Sequence, residues 1–157
     1  SKGAAKMMTA AIMIGIATAI SSVLSDGKII DTIVRAIANV LMACPAFIQG
    51  PMMFIANVLI NVFIPSGSGQ AAAVMPLMVP VADLAGITRQ VAVQAFQFGD
   101  GFSNCLFPTA GTLMGSIAIA KTDWRKYAKW LMPLLGCQVI LSFASLTILQ
   151  SIGWTGL

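Results

Sequence analysis

The chain has 157 residues, of which 58% are hydrophobic and 9% charged, with a formal net charge of +4 and no histidine. An ordinary soluble domain carries about 25% charged residues, so the composition excludes a disordered segment, a nucleic-acid module and a disulfide-stapled domain. The missing imidazole also removes Ser-His catalysis, HExxH zinc chemistry and haem ligation by histidine.

No Asp, Glu, Lys or Arg falls at 7–25, 36–82, 101–120 or 130–157. Runs this long suit a hydrocarbon core of about 30 Å, which about 20 apolar residues cross. Cys44, Cys105 and Cys137 are odd in number and show no CxxC spacing, so they read as small apolar residues of membrane helices. The expected fold class is an all-α membrane protein forming one domain over 1–157.

Residues 7–24 follow Lys2 and Lys6 and are rich in Ala, Gly, Ser and Thr, which predicts a permanent transmembrane helix packed closely against neighbours. Residues 26–43 place Ile30, Ile33, Val34, Ile37 and Leu41 on one face, with Lys28, Asp31, Thr32, Arg35 and Asn39 on the other. Such a helix lies in the membrane interface, with Asp31 and Arg35 as an i,i+4 pair.

Residues 45–87 read as a re-entrant hairpin: an arm over 51–64, a polar tip at Pro65–Gln70, and a second arm over 71–87 bent by Pro76 and Pro80. The first arm's 14 residues rise roughly 21 Å, short for a crossing, although two full spans give the same topology. Residues 88–120 read as a discontinuous transmembrane helix, interrupted at Gly99–Asn104 and again at Pro108-Thr109. An interfacial helix over 121–130 combines four cations with Trp124, Tyr127 and Trp130, an aromatic-belt composition. A transmembrane helix over 131–154 closes the chain.

With the N-terminus inside, six Lys or Arg residues are cytoplasmic and Lys28, Arg35 and Arg89 lie outside. The two interruptions are expected to meet halfway through the lipid. There, helix N-termini near Gln70–Ala71 and after Pro108 favour an anion, while carbonyls at helix ends near Ile64 and Phe98 suit Na⁺. Asp100 is the sharpest single candidate, because an acid inside a long apolar run is expensive to insert. It fits a cation ligand, a proton carrier or a partner for a substrate amine; the structural alternative is a cap bonded to Ser103 or Asn104, or a residue near the outer interface.

The candidate substrate- or ion-binding set is Ser66, Gly67, Ser68, Gly69, Gln70, Asp100, Ser103, Asn104, Pro108 and Thr109, with Na⁺ near Asp100, Ser103 and Asn104. Ser and Thr at such breaks also satisfy freed carbonyls. Asn57 and Asn61 share a helix face and either line the cavity or bond between helices. Gly111–Gly115 is a GxxxG packing motif, and Asp83 with Arg89 forms a pair near the outer surface.

The run IPSGSGQAAAVMPLMVPVADLAGITRQ, followed by FQFGDGFSNCLFPTAGTLMGSIAIAK and preceded by DGKIIDTIV, resembles the C-terminal part of YfcC-type membrane proteins. These belong with the anaerobic C4-dicarboxylate carriers of the ion transporter superfamily. The resemblance implies a multi-pass secondary transporter of the bacterial inner membrane, with inverted repeats that each carry a re-entrant hairpin and a broken helix, and usually a homodimer. In related divalent-anion transporters, Ser-Asn-Thr motifs at the tip and in the broken helix bind Na⁺ and substrate carboxylate. Ser66, Gly67 and Ser68 resemble the first motif with Gly and Ser replacing Asn and Thr; Ser103-Asn104 and Pro108-Thr109 resemble the second. Some YfcC-type proteins carry the label of basic amino-acid antiporter, and Asp100 suits a cationic substrate.

The expected function is ion-coupled or exchange transport of a small carboxylate-bearing solute, such as a C4-dicarboxylate or an amino acid, by alternating access. No cofactor is expected beyond a coupling Na⁺ or H⁺, and the partners are the solute, the lipid bilayer and a second full-length copy, with no nucleic acid. A channel half or a structural membrane subunit is the alternative, and an enzyme is not expected. One hairpin and one broken helix make half of an inverted pair, and the chain starts at Ser1, so a portion of a longer protein is expected.

Overall fold

Pro45 separates two helices, because it holds the preceding Cys44 in an extended conformation and its fixed φ suits the entry to the next helix. A computed structural model describes residues 26–156 together with positions 12, 15, 19, 22 and 23. Apart from those positions, the expected span over 7–24 lies outside the described residues, as does the side chain of Asp31. Helix α1 (Ile29–Ala43) follows the left-handed Lys28 and ends at extended Cys44.

Helix α2 (Ala46–Phe63) has 18 residues and runs through Pro51, so it rises about 27 Å and is longer than the expected arm over 51–64. Residues 46–50 join the helix because Gln49 and Gly50 are buried and the Gln49 side chain donates to the Cys44 carbonyl at 3.1 Å.

Helix α3 (Gly67–Ala85) is capped by Ser66, whose Oγ accepts from the Gly69 N–H. It passes through Pro76 and Pro80 without ending, both on its exposed face. It stops at Gly86, whose φ of 73° is the left-handed conformation that glycine adopts freely. Helix α4 (Arg89–Ser103) is capped by Thr88, and the chain is non-helical from 104 to 110. A short α5 (Gly111–Ile119) and a long α6 (Trp124–Ser151), capped by Asp123, complete the order.

The described residues are thus all-helical. Of helices α1 to α6, α2, α3 and α6 are each long and apolar enough to cross a membrane, with mean hydropathies of 1.6, 1.2 and 1.9. Their outward faces are apolar as well; Leu59, Leu84, Met132, Ile140, Leu141 and Ile148 are all more than half exposed, as lipid-facing positions require.

The most extensive contact joins α2 to α4, and α6 packs on both. Helices α2 and α4 run parallel, since Gly50 faces Val91 and Gly99 faces Asn57. Helix α6 runs against them: Leu146 lies beside Gly50, and Phe143 meets Phe54 edge-on with ring centroids 6.0 Å apart. Its far end is tied to the α3–α4 turn by bonds from Thr88 Oγ1 to the Trp154 carbonyl (2.6 Å) and from Gln150 to the Gly86 carbonyl (3.4 Å). Met53, Val74, Met78, Val91, Ala95 and Leu146 fill the shared core. Helix α5 packs instead on the start of α6, through Leu113 and Ile117 against Trp124 and Tyr127.

Candidate functional site

Three helix ends meet opposite the α3–α4 turn. Helix α2 ends at Phe63, α3 begins at Gly67, and α4 ends at Ser103. The sequence expectation set these ends at Gln70–Ala71 and Phe98; the structure begins α3 earlier and ends α4 later. Gly99–Ser103 are helical and only 104–110 are irregular. The two glycines do not break α4; one lets it approach α2. A Cβ on Gly99 would lie 2.6 Å from Asn57 Cβ, closer than side chains pack, and a tight 3.1 Å from two backbone atoms of α2.

This close approach brings α2's asparagines against the end of α4. Asn61 is fully buried, and one end of its side-chain amide lies 2.6 Å from Ser103 Oγ and 2.9 Å from the Asn104 side chain. The other end lies 2.9 Å from Gln70 Oε1, 2.9 Å from the Ile64 carbonyl and 3.2 Å from Asp100 Oδ1. Three acceptors around one atom require a donor or a cation between them; the amide nitrogen of Asn61 fills that role. Gln70, also fully buried, donates to the Asn57 carbonyl at 3.1 Å, and Asn57 donates to Met53 O at 2.9 Å within its own helix.

Asp100 is 8% exposed and accepts from Asn104 Nδ2 at 2.9 Å. Its other oxygen faces the first turn of α3, where a Cβ on Gly67 would stand 2.8 Å away. A helix N-terminus is a favourable place for a carboxylate, because its first N–H groups have no partners within the helix. Among the described residues no Lys or Arg pairs with Asp100; the only salt bridge is Arg89 to Asp83 (2.9 Å), exposed at the opposite end of the fold. The Ser103 hydroxyl, with one proton to give, reaches both the Gly99 carbonyl, a local bond of the kind Ser makes within helices, and the side-chain oxygen of Asn61.

Of the candidates named from the sequence, Gly67, Gln70, Asp100, Ser103 and Asn104 come together here. Ser66 and Gly69 stand at the exposed cap of α3, and Ser68 is exposed. Pro108 and Thr109 lie half-buried in the irregular segment, and the buried Thr109 Oγ1 has no partner among the described residues. The hub is Asn61, which composition and spacing marked only as one of a pair sharing a face with Asn57. Among the described residues no group of three His, Cys, Asp or Glu forms a metal centre; the cluster offers one carboxylate among neutral oxygens.

Ser103 also borders a groove lined by Met132, Leu135, Gly136, Val139 and Ile140 of α6. The cluster is thus level with the apolar stretch that follows Trp130, about 9 Å along the helix at Gly136. Trp124 Nε1 donates to the Leu106 carbonyl at 3.0 Å and anchors the irregular segment to the start of α6.

A bundle with membrane-length apolar helices and apolar outer faces, holding a buried polar cluster where three helix ends meet, has the make-up of a membrane-embedded helical protein. The sequence profile of the family described as C4-dicarboxylate anaerobic carrier, DcuC, matches residues 1–151, and the chain belongs to that family. It is 36% identical to an Escherichia coli (strain K12) protein named "Putative basic amino acid antiporter YfcC", over 98% of this chain and 31% of that protein. It is 30% identical to an uncharacterized Haemophilus influenzae protein, over 97% of this chain and 30% of that one. The chain therefore spans about a third of the length of these relatives. No solved structure matches it.

Proposed function

We propose that this segment is the solute- and ion-binding portion of a secondary transporter that moves a small carboxylate-bearing solute, a C4-dicarboxylate or an amino acid, across the bacterial inner membrane. The observation that carries the reading is the meeting of the α2–α3 turn with the end of α4 around Asp100, Asn61 and Gln70. A buried acid with amides but no counter-cation, within an apolar bundle, is expensive to maintain and is the kind of group that marks an ion or substrate pathway.

In this reading the α2–α3 pair is a re-entrant hairpin whose tip lies at 64–67, and α4 with α5 is one span interrupted over 104–110. Helices α2 and α3 are each long enough for a full crossing, so hairpin depth is set by where the tip sits relative to α6. The belt residues Trp124, Tyr127 and Trp130 put the start of α6 at the headgroups, and the cluster then lies within the hydrocarbon, nearer that face than the midplane.

The chemistry follows from the donors present. Asp100, the Ile64 carbonyl and the side-chain oxygens of Gln70 and Asn61 make a hard oxygen set for Na⁺ once Asn61 turns its oxygen inward, with Ser103 and Asn104 beside it. Protonation of Asp100 is the H⁺-coupled equivalent. The N-terminus of α3, with Ser66, Gly67, Ser68 and Gly69, presents N–H groups to a substrate carboxylate. The irregular segment with Pro108 and the unpaired Thr109 hydroxyl supplies a further polar contact. Emptying and refilling the Asp100 site is coupled to movement of the hairpin, with the rest of the polypeptide and a second copy as scaffold.

The likeness to a protein named as a basic amino-acid antiporter makes arginine and ornithine the first solutes to try, beside C4-dicarboxylates. Full-length protein in liposomes, given each labelled solute with and without Na⁺ or pH gradients, should show saturable uptake that requires a gradient or a counter-solute. Uptake that neither saturates nor responds to gradients would instead identify a pore.

A further inference from the structure

The groove beside Ser103 has a volume of about 490 Å³, within the range of about 300–1,000 Å³ typical of ligand sites. Its walls are Val58, Phe102, Leu106 and Phe107 on one side and α6 residues 132–140 on the other, with Ser103 its only polar lining residue. There is free space at position 136, where a Cβ on the glycine would meet nothing within 4 Å. We propose that this groove binds an anionic glycerophospholipid of the surrounding bilayer, with an acyl chain along α6 and the headgroup phosphate on Arg125 and Lys129.

The face of α6 decides the occupant. Arg125, Lys129, Met132, Gly136 and Val139 follow one another at intervals of four, three, four and three residues, which places them along one stripe of a helix. Both cations are exposed and continue the groove toward the end of α6 that carries Trp124, Tyr127 and Trp130. Trp130 is 75% exposed, as a ring at the headgroup level of a bilayer is. A groove lying in the hydrocarbon with two cations above its mouth matches an acyl chain joined to a phosphate. An apolar helix of another polypeptide would cover the walls equally well but would leave the two charges without a counterpart.

Full-length protein purified in mild detergent and incubated with phosphatidylglycerol or phosphatidylethanolamine of identical acyl chains tests this by native mass spectrometry. Each cation near an anionic headgroup contributes on the order of a fivefold factor, so phosphatidylglycerol should be retained at least roughly tenfold better. Arg125→Gln with Lys129→Gln should bring the two lipids to near-equal retention. Gly136→Leu, which fills the groove, should reduce retention of both, and Arg35→Gln, an exposed cation elsewhere, should leave the preference intact. Equal retention of both lipids by the unaltered protein, which needs no variant to fold, overturns the proposal. So does a preference that survives the double substitution, or capture of polypeptide instead of lipid by a photoreactive side chain at Val139.

Discussion

Two aspartates mark the two ends of this bundle, and their settings are opposite. Asp83 stands at the α3–α4 turn, 43% exposed, and is gripped through both oxygens by the 71% exposed Arg89. Asp100 stands where three helices stop, almost wholly buried, with amides and the start of α3 in place of a cation. An exposed pair in water contributes little, since solvent screens it and both side chains lose freedom. A buried carboxylate without a counter-charge loses hydration that neutral donors only partly replace. The charge that looks better satisfied is therefore expected to be the dispensable one, and in the proposed transport reading the buried charge is the one with a reason to be kept.

Replacing the buried acid should have the largest effect. Asp100→Asn preserves the shape and the contact to Asn104, so the protein should remain folded in detergent while gradient-driven uptake falls to background; unchanged coupled uptake would break the contrast between the two ends. Next comes the helix contact that builds the site. Gly99→Val forces a side chain into the space of Asn57 and the α2 backbone, and overpacking of this kind costs about 1–3 kcal/mol, visible as a lower melting temperature with uptake lost in parallel.

A subtler change sharpens the comparison. Gly67→Ala sets a methyl group 2.8 Å from an Asp100 oxygen and should raise the KM for the coupling ion or solute several-fold, with a small change in melting temperature. The smallest effect belongs to the exposed end. Arg89→Gln removes the only salt bridge among the described residues, yet neither melting temperature nor uptake should change measurably.

Much of the site was visible in the sequence because insertion of a charge into an apolar run is penalised wherever the chain folds. Asp100 stood out for that reason, and the Ser-Gly tip at 66–69 stood out because it interrupts two apolar arms. What went astray were the boundaries. Pro51, Pro76 and Pro80 lie inside helices, since in an apolar bundle a helix is still the best way to satisfy the remaining backbone groups. Gly99 and Gly101 suggested an unwound stretch, but α4 continues to Ser103. Local propensity does not reveal that a missing side chain serves a neighbouring helix.

Asn61 is the clearest case of a residue whose role sequence alone could not assign. Its spacing from Asn57 gave a shared face and nothing about what that face meets. Its five neighbours in the cluster are Ile64 and Gln70 nearby and Asp100, Ser103 and Asn104 some forty positions on, and only the parallel packing of α2 on α4 unites them.

The apolar runs, the membrane-length helices, the aromatic and basic start of α6 and the outlying acid were determined by composition and order along the chain, because transfer of apolar and charged groups between water and lipid depends mainly on the groups themselves. Which helix ends meet, which amide stands between three acceptors, and which aspartate is buried were decided by tertiary packing, because those outcomes depend on distances between segments that the order of residues does not contain.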